Sequence, residues 1–439
     1  MTGTVRAQPS LAVRSAVGLI GVGALIGLAA MSIHRAGHIR YDFDHFYLDA
    51  RYVIEHGGIN TDDQNPDRKL RGRLRNYLPI ATLLFVPFAA LGSWCGGAMW
   101  VLINVVLFVA LVRHVGRHLA DRPGGDGCFG QALPVVLCGG VIYEHFRFNQ
   151  ASIVVLAILL GAYVLLERGR DVAAGVAVAL ATIIKLMPAV FMLYLVLRRR
   201  WRATVAAMVA VVVLDVGGSL LAFGPADTLR YHRRWWYFVR QDSGLALMSP
   251  APGSLVHEHF LDHRNQSLAI VLAKALPGHL PMAKGLYLGA MGASVLAVLV
   301  WVCRGLGEGV WPRRLTFAAW LLLMLWFTPL LRQYYLIWAY PAVAVLVERV
   351  RHHRLAGRPA GMSLSALVVW IVSMLLWMID AWTGHVFRAA GVNLWAVVFL
   401  LAALLVESHR EGRMISQADG ASGLGVRVRG GTASAPPQG

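Results

Sequence analysis

The sequence predicts an all-α, polytopic transmembrane helical bundle, on three observations. Hydrophobic residues make up 57% of the chain and charged residues only 15%, against about 25% charge in soluble domains. Apolar runs long enough for membrane helices recur along the 439 residues. Basic residues gather in the connectors between those runs, as the positive-inside rule requires of cytoplasmic loops. The formal net charge of +18 therefore reads as topology charge, with contact to anionic lipid as its second use. The expected partner is the lipid bilayer; no nucleic acid partner is implied.

Arg6 and Arg14 precede the first span, 15–33. It lacks a small-residue cleavage site, so it reads as a retained helix and not a signal peptide. Further spans fall at 95–112, 131–146, 150–167, 172–187, 188–197, 203–222, 284–303, 315–327, 335–347, 363–380 and 391–406, about twelve with the first. Several are shorter than the roughly 20 residues of a simple crossing, and need tilt or shelter. The segment 78–91 carries Pro79 and Pro87 and reads as re-entrant. With that parity the basic connectors 113–122, 168–170, 198–202, 304–314, 349–358 and 409–413 share the cytoplasmic side with both termini. If 78–91 crosses instead, one of 131–146 and 188–197 does not. The expected location is the plasma (inner) membrane. A single domain spans 1–413, and the Gly-, Ser-, Ala- and Pro-rich tail 414–439 is expected to be disordered. No internal repeat is visible, so an inverted-repeat transporter has no support. Cys95, Cys128, Cys138 and Cys303 have no metal-ligand spacing and suggest no disulfide framework.

The outer face then collects the loops at 34–77, 147–150, 185–188, 223–283, 328–334 and 381–390. The first carries Asp42, Asp44 and Asp49 among Tyr41, Phe43, Phe46 and Tyr47, then a basic run, then Tyr77-Leu78-Pro79. Carboxylates beside a span are costly unless solvated or paired. One that faces a sugar donor can take the proton of an incoming hydroxyl, and an inverting transfer needs one such base. Helix N-capping competes with this reading, because Asp42 and Asp44 precede the helix-like FYLDARYVIEHG. At i and i+2 the two share a face of an extended chain, or lie about 200° apart on a helix. A DxD pair also suggests a metal holding a nucleotide-sugar. That chemistry belongs to soluble α/β domains, and no βα alternation is visible, so no metal is expected.

Lys185 lies at the outer end of a span, three residues before Pro188. A lysine there needs an anion or a route to the interface. It reads as a phosphate contact, with snorkelling as the alternative. Arg332, in TPLLRQYYLIW, is the second phosphate candidate, as a bidentate donor. Gln333 and Tyr334 beside it offer an amide and a hydroxyl to a sugar, or for the ring an interfacial belt. RYHRRWWYFVRQ at 230–241 interleaves Arg with Trp. It reads as an interfacial amphipathic helix, as a lid that touches lipid phosphate through Arg230, Arg233 and Arg234, or as both. Asn149-Gln150 and Asn265-Gln266-Ser267 open apolar runs and suit helix caps or sugar hydroxyls. Tyr47 and Tyr77 complete the sugar- and acceptor-binding candidates.

Five stretches together resemble glycosyltransferase family 87, integral-membrane enzymes of the GT-C class. They are DFDHFYLDARYVIEHG (42–57), NYLPIATLLFVPFAALG (76–92), the block 148–203 around Lys185, NQSL (265–268) and TPLLRQYYLIW (328–338). The family includes actinobacterial polyprenol-phosphate-mannose-dependent α-mannosyltransferases. The resemblance runs from about 29 to 348. It implies a GT-C bundle with a large first outer loop and a polyprenyl-phosphate sugar, mannose first, as donor. It implies transfer to a glycolipid or glycan acceptor on the outer face, with no cofactor. The family's loop aspartate, which resembles a catalytic base, falls on Asp42, with Asp44 the second choice, and its lysine before proline falls on Lys185. The family's Tyr-Pro-Pro becomes Tyr77-Leu78-Pro79 here. Its Gly-Gln-(Val/Ile)-Asn turn becomes Phe148-Asn149-Gln150-Ala151. After Thr328-Pro329, where the family often carries Trp and His, stand Arg332, Gln333 and Tyr334. Two rival functions use the same cations: a flippase of the lipid-linked sugar, which needs no base, and a transferase of a pentose.

Overall fold

Backbone N–H and C=O groups inside a bilayer must be satisfied within their own segment, so the apolar runs fold as helices. The computed structural model describes residues 11–38, 42–61, 77–120, 127–241, 264–303 and 310–426, and every regular element among them is helical. The basic run at 62–76, parts of the connectors at 113–122 and 304–314, and residues 427–439 lie outside the described residues.

The chain opens with α1 (Leu11–Gly37) and α2 (Asp42–His56). A 3-10 turn, Pro79–Phe85, leads into α3 (Val86–Ala90) and α4 (Gly92–His114). Next come α5 (Gly127–Leu137), α6 (Gly139–Phe148), α7 (Ser152–Glu167), α8 (Asp171–Ile184), α9 (Val190–Leu197) and α10 (Trp201–Val211). A π turn, Val212–Gly217, joins α10 to α11 (Gly218–Gln241). The later part holds α12 (Leu268–Ala275), α13 (Leu280–Cys303), α14 (Val310–Trp326), a 3-10 turn at Gln333–Ala339, α15 (Tyr340–Leu355), α16 (Gly361–Ile379), α17 (Val386–Ala389) and α18 (Val392–Val426). The last helix runs past 413, where the sequence suggested that a disordered tail begins.

The protein is a multi-pass membrane protein, but the expected twelve spans are not found as twelve long helices. Among the described residues six are long and apolar enough to cross: Leu19–Gly37, Gly92–Leu119, Trp201–Arg240, Leu280–Trp301, Gly361–Ile379 and Val392–Glu411. A seventh arises if α6 and α7, bent by 116°, count as one broken span. The shortfall has a local cause. Pro188 lacks an N–H and its ring meets the carbonyl four residues back, so α8 stops at Ile184 and the run 172–197 becomes two short helices. Pro79–Ala90 is likewise a short apolar stretch, too short for a simple crossing.

The core sits on α14, whose residues from Leu315 to Leu325 are all buried. A helix that is apolar all round must be surrounded, and α14 contacts α9, α15 and α18. On the outside, α10, the π turn after it and the start of α11 expose Val205, Met208, Val209, Val212, Val213 and Leu221, a surface suited to lipid.

One end of the bundle gathers ion pairs from the connectors expected in the cytoplasm: Arg200–Asp171 at 3.4 Å, Arg313–Glu167 at 3.6 Å and Arg349–Glu407 at 3.1 Å. His353 Nε2 also meets Glu407 at 2.9 Å, and the Ser363 hydroxyl donates to Glu407 at 2.8 Å, tying α15, α16 and α18 together. The other end carries the polar turns described below.

Helices α8 and α10 cross closely at Gly175, where a Cβ would lie 2.2 Å from the Ala203 carbonyl oxygen and 2.9 Å from Ala206 Cβ. Gly175→Val should therefore push the pair apart and cost about 1–3 kcal/mol. Gly161 has nothing within 4 Å, and Gly161→Ala should leave stability unchanged or raise it by roughly 1 kcal/mol. Thermal unfolding in detergent, followed by circular dichroism, compares them; equal midpoints would refute the close crossing.

Candidate active site

Helix α2 forms on the 3.6-residue spacing of Phe43, Phe46, Tyr47 and Ala50, all buried. Phe46 stacks on Phe85 at 4.1 Å and leans on Tyr77 at 4.7 Å, and Phe85 meets Trp100 edge-on at 5.2 Å. The expected outer loop thus lies against the Pro79–Phe85 turn and α4. Asp42 and Asp44 are the first and third residues of α2, positions about 200° apart around a helix axis. Asp44 is 7% exposed; the side chain of Asp42 lies outside the described residues. Tyr47 is a core ring whose hydroxyl accepts from Arg51 at 3.5 Å, and Tyr77 is half-buried beside Phe46.

The chain between α6 and α7 turns on Asn149, whose left-handed backbone (φ 53, ψ 46) ends α6. Asn149 Nδ2 donates to the Ser32 carbonyl at 3.0 Å, and the Ser32 hydroxyl donates to the Phe146 carbonyl at 2.8 Å and also meets Asn149 Oδ1. Trp100 Nε1 donates to the Asn149 carbonyl at 3.1 Å. The turn is thereby pinned to α1 and α4. On its other side Lys185 Nζ donates to Gln150 Oε1 at 2.9 Å and to Ser152 Oγ at 3.3 Å.

Lys185 is the first extended residue after α8 and only 4% exposed. Its ammonium lies 4.1 Å from the Tyr335 ring centroid and 5.8 Å from those of Tyr334 and Trp338, within cation–π range. Trp338 stacks flat on Tyr335 at 5.4 Å and donates through Nε1 to the Ser152 carbonyl at 2.9 Å. The break in α8, the 149–152 turn and the 333–339 turn thus converge on one cation. Arg332 precedes that last turn and is half-buried.

The remaining amide candidates act as scaffold. Asn265 Oδ1 accepts the N–H groups of Ser267 at 3.1 Å and Leu331 at 3.0 Å, and its Nδ2 donates to the Pro329 carbonyl at 3.2 Å. Gln266 donates its N–H to the Leu331 carbonyl at 2.8 Å and accepts the Asn393 N–H at 3.1 Å. Gln333 is bonded to Asn393 and Met374. Together they hold the loop that carries Arg332, Tyr334 and Tyr335.

The amphipathic helix expected at 230–241 is present, as the second half of α11. Gly224 (φ 77, ψ 171) breaks α11 just before Pro225. Thr228, Tyr231 and Phe238 face inward, and Trp235 packs with Leu78, Ala81 and Ile183. The Tyr231 hydroxyl accepts the Ile59 N–H at 2.9 Å. In the preceding π turn Asp215 accepts the Ile80 N–H at 3.3 Å and pairs with His232 at 3.0 Å. Arg230, Arg233 and Arg234 are not gathered around Lys185; they line a separate cavity of about 530 Å³ with Thr61 and Tyr237.

Several of these participants escaped the sequence reading. Glu144, His145 and Arg147 were detectable as ionisable residues in an apolar run; Arg147 pairs with the buried Glu144 at 2.8 Å, and His145 meets Asn104 at 3.2 Å. Ser152 and Trp338 carry no such signal.

Residues 76–329, more than half of the chain, match the family model of glycosyltransferase family 87. The chain belongs to this family. The family 87 match includes Lys185, the 149–152 turn, the arginines of α11 and Asn265, and it excludes Asp42, Asp44 and Arg332. A polyprenol-phosphate-mannose-dependent alpha-(1-2)-phosphatidylinositol pentamannoside mannosyltransferase of Mycobacterium tuberculosis (strain CDC 1551 / Oshkosh) is 25% identical over 405 residues, 88% of this chain and 87% of that protein. A polyprenol-phosphate-mannose-dependent alpha-(1-2)-phosphatidylinositol mannoside mannosyltransferase of Mycolicibacterium smegmatis is 26% identical over 389 residues, 83% of this chain and 82% of that one. The crystal structure of ArnT from Cupriavidus metallidurans in the apo state aligns over 92% of this chain and 79% of that one, with 16% identity and a TM-score of 0.34.

If Asn149 acts as the clamp between α1 and α6, Ser32→Ala and Asn149→Gly should each cost about 1–3 kcal/mol. Glycine keeps the left-handed backbone, so only the side-chain bonds are lost. The double variant should be little worse than the poorer single one. Fully additive shifts in unfolding midpoint would show that the two residues act apart.

Proposed function

We propose that this glycosyltransferase moves mannose from a polyprenyl-phosphate donor to a glycolipid acceptor on the outer face of the plasma membrane, with inversion. The observation that carries the reading is Lys185. Its ammonium is oriented by Gln150 and Ser152 and backed by Tyr335, and the Pro79–Phe85 turn contacts both α2 and α8, the helix that ends just before Lys185. A fixed cation there suits a phosphate that must leave. The names of the relatives support the donor and the acceptor class: both use polyprenol-phosphate-mannose and act on phosphatidylinositol mannosides.

In the proposed step an acceptor hydroxyl attacks the anomeric carbon from the side opposite the phosphate. The bond from that carbon to the phosphate oxygen breaks, and its electron pair leaves with the lipid phosphate. Asp42 takes the hydroxyl proton, with Asp44 as the second candidate. Lys185 and Arg332 offset the charge on the departing phosphate. Positive charge from side chains replaces a metal in this scheme. The basic connectors support cytoplasmic termini.

With purified protein in lipid and radiolabelled polyprenyl-phosphate-mannose, Asp42→Asn should abolish transfer and leave the unfolding midpoint unchanged. Lys185→Gln should lower the rate by roughly 10²–10³. Wild-type transfer by Asp42→Asn would remove it as the base, and loss confined to Asp44→Asn would move that role to Asp44. Label that crosses vesicles without release of polyprenyl phosphate would favour a flippase. Transfer should also persist in excess chelator; its loss, with rescue by added divalent cation, would overturn the metal-free step.

A further inference from the structure

Asp215 is a carboxylate inside the apolar span Trp201–Arg240, and the step above gives it no task. It is 3% exposed. A charge at such a position is costly unless it is paired, and residues of this kind are retained where they are used. Asp215 stands in the π turn Val212–Gly217, where one extra residue interrupts the helical ladder and re-aims the side chains. Val212 and Val213 are exposed there, while Asp215 is turned into the protein.

Both carboxylate oxygens are engaged. Oδ1 accepts the Ile80 N–H at 3.3 Å, and Oδ2 meets His232 Nε2 at 3.0 Å. The imidazole is itself fixed, because its Nδ1 donates to the Thr228 carbonyl at 2.8 Å, one turn back. The Ile80 N–H is a donor that the Pro79–Phe85 turn does not satisfy by itself. The first N–H groups of a helical turn have no partner within it. Leu78, at the cap position, makes no side-chain bond. A residue 135 positions away therefore caps this turn. The two segments also pack closely: a Cβ on Gly218, three residues past Asp215, would lie 3.0 Å from Ile80 Cδ1.

The capped turn joins the two halves of the proposed site. Phe85 stacks on Phe46 of α2 at 4.1 Å. Leu78 and Ala81 pack with Ile183, two residues before Lys185. A shift of the turn changes the spacing between the helix that carries Asp42 and the cation.

We infer that Asp215, held by His232, is a positioning residue for the transfer: it fixes the Pro79–Phe85 turn and, through it, the distance from α2 to Lys185. The inference rests on the function proposed above. Neither residue needs to touch substrate. An error of about 1 Å in such a spacing costs roughly 10²-fold in rate. The cost falls on kcat, because the phosphate contact at Lys185 is kept.

The test compares full-length wild type with variants at 215 and 232 in lipid nanodiscs. Two quantities are measured: kcat and donor KM for transfer from polyprenyl-phosphate-mannose, and deuterium uptake by the segment 79–85. Asp215→Leu should speed uptake about tenfold, for one lost hydrogen bond. Its kcat should fall roughly 10²-fold, with KM within about twofold of wild type. Asp215→Asn keeps an acceptor for Ile80 and should stay within about threefold of wild type in both measurements. Asp215→Leu/His232→Phe should be no slower than Asp215→Leu alone, since His232 acts through the carboxylate. Should Asp215→Leu fail to fold, Asp215→Glu takes its place. It keeps the charge and the acceptor and displaces the turn by one methylene, and its kcat should drop about tenfold at unchanged KM. Unchanged uptake in Asp215→Leu overturns the cap. Faster uptake with wild-type kcat, or wild-type kcat in Asp215→Glu, overturns the positioning role. A loss that falls on KM, or one as large in Asp215→Asn as in Asp215→Leu, also overturns it. A wild type that transfers nothing would count against the proposed function alone, and the uptake comparison would still decide whether Asp215 caps the turn.

Discussion

A membrane helix that breaks frees backbone groups that no water reaches, and those groups must find partners nearby. The break between α6 and α7 is the point on which the polar-turn end of this bundle depends. Asn149 takes the left-handed conformation, and its carbonyl is capped by Trp100 and its side chain by Ser32. Three residues on, the Ser152 carbonyl, in the first turn of α7, accepts a further bond from Trp338. The partners come from α1, α4 and the turn before α15, so one break draws three distant parts of the chain to one place. Gln150, in the middle of that turn, is then aimed at Lys185.

The second break repeats the device with different residues. Pro188 stops α8 at Ile184, which leaves Lys185 extended and turned inward to the 149–152 turn. The third irregular stretch, 328–339, is held by Asn265, Gln266 and Asn393, and it supplies the ring faces that close over the ammonium. Irregular backbone at membrane depth is tolerated where protein shelters it. Here the shelter and the candidate site are built by the same residues, so amides that look like sugar ligands are largely occupied in keeping the turns in place.

Helix α11 presents two different faces at this end of the bundle. Its inward face closes against Ile59, Leu78 and Ile183, and Asp215 ties it to the Pro79–Phe85 turn through Ile80 and His232. Its outward face is basic and aromatic. An interleaved Arg and Trp pattern becomes two surfaces because a helix sorts residues three and four apart onto one side. The same geometry sets positions 42 and 44 about 200° apart around α2, where an extended loop would have put i and i+2 on one face.

Much of the architecture was legible in the chain itself. Apolar runs, basic connectors and the prolines at 79, 87 and 188 were enough for an all-helical membrane bundle with a short, broken segment at 78–91 and an amphipathic helix at 230–241. These features depend on composition and local sterics, which sequence carries directly. The place of Lys185 at a helix break was legible too, because Pro188 stands three residues on. The number of long spans was not, since length at the threshold cannot distinguish a crossing from a sheltered half-helix such as α8 or α9. Nor was the division of labour among polar residues. Asn149, Asn265 and Gln333 look alike in sequence, while Ser152 and Trp338 look like nothing in particular; what each does follows from the carbonyl or cation that folding places within about 3 Å of it. That is a property of contacts between residues far apart in the chain, and only the tertiary structure decides it.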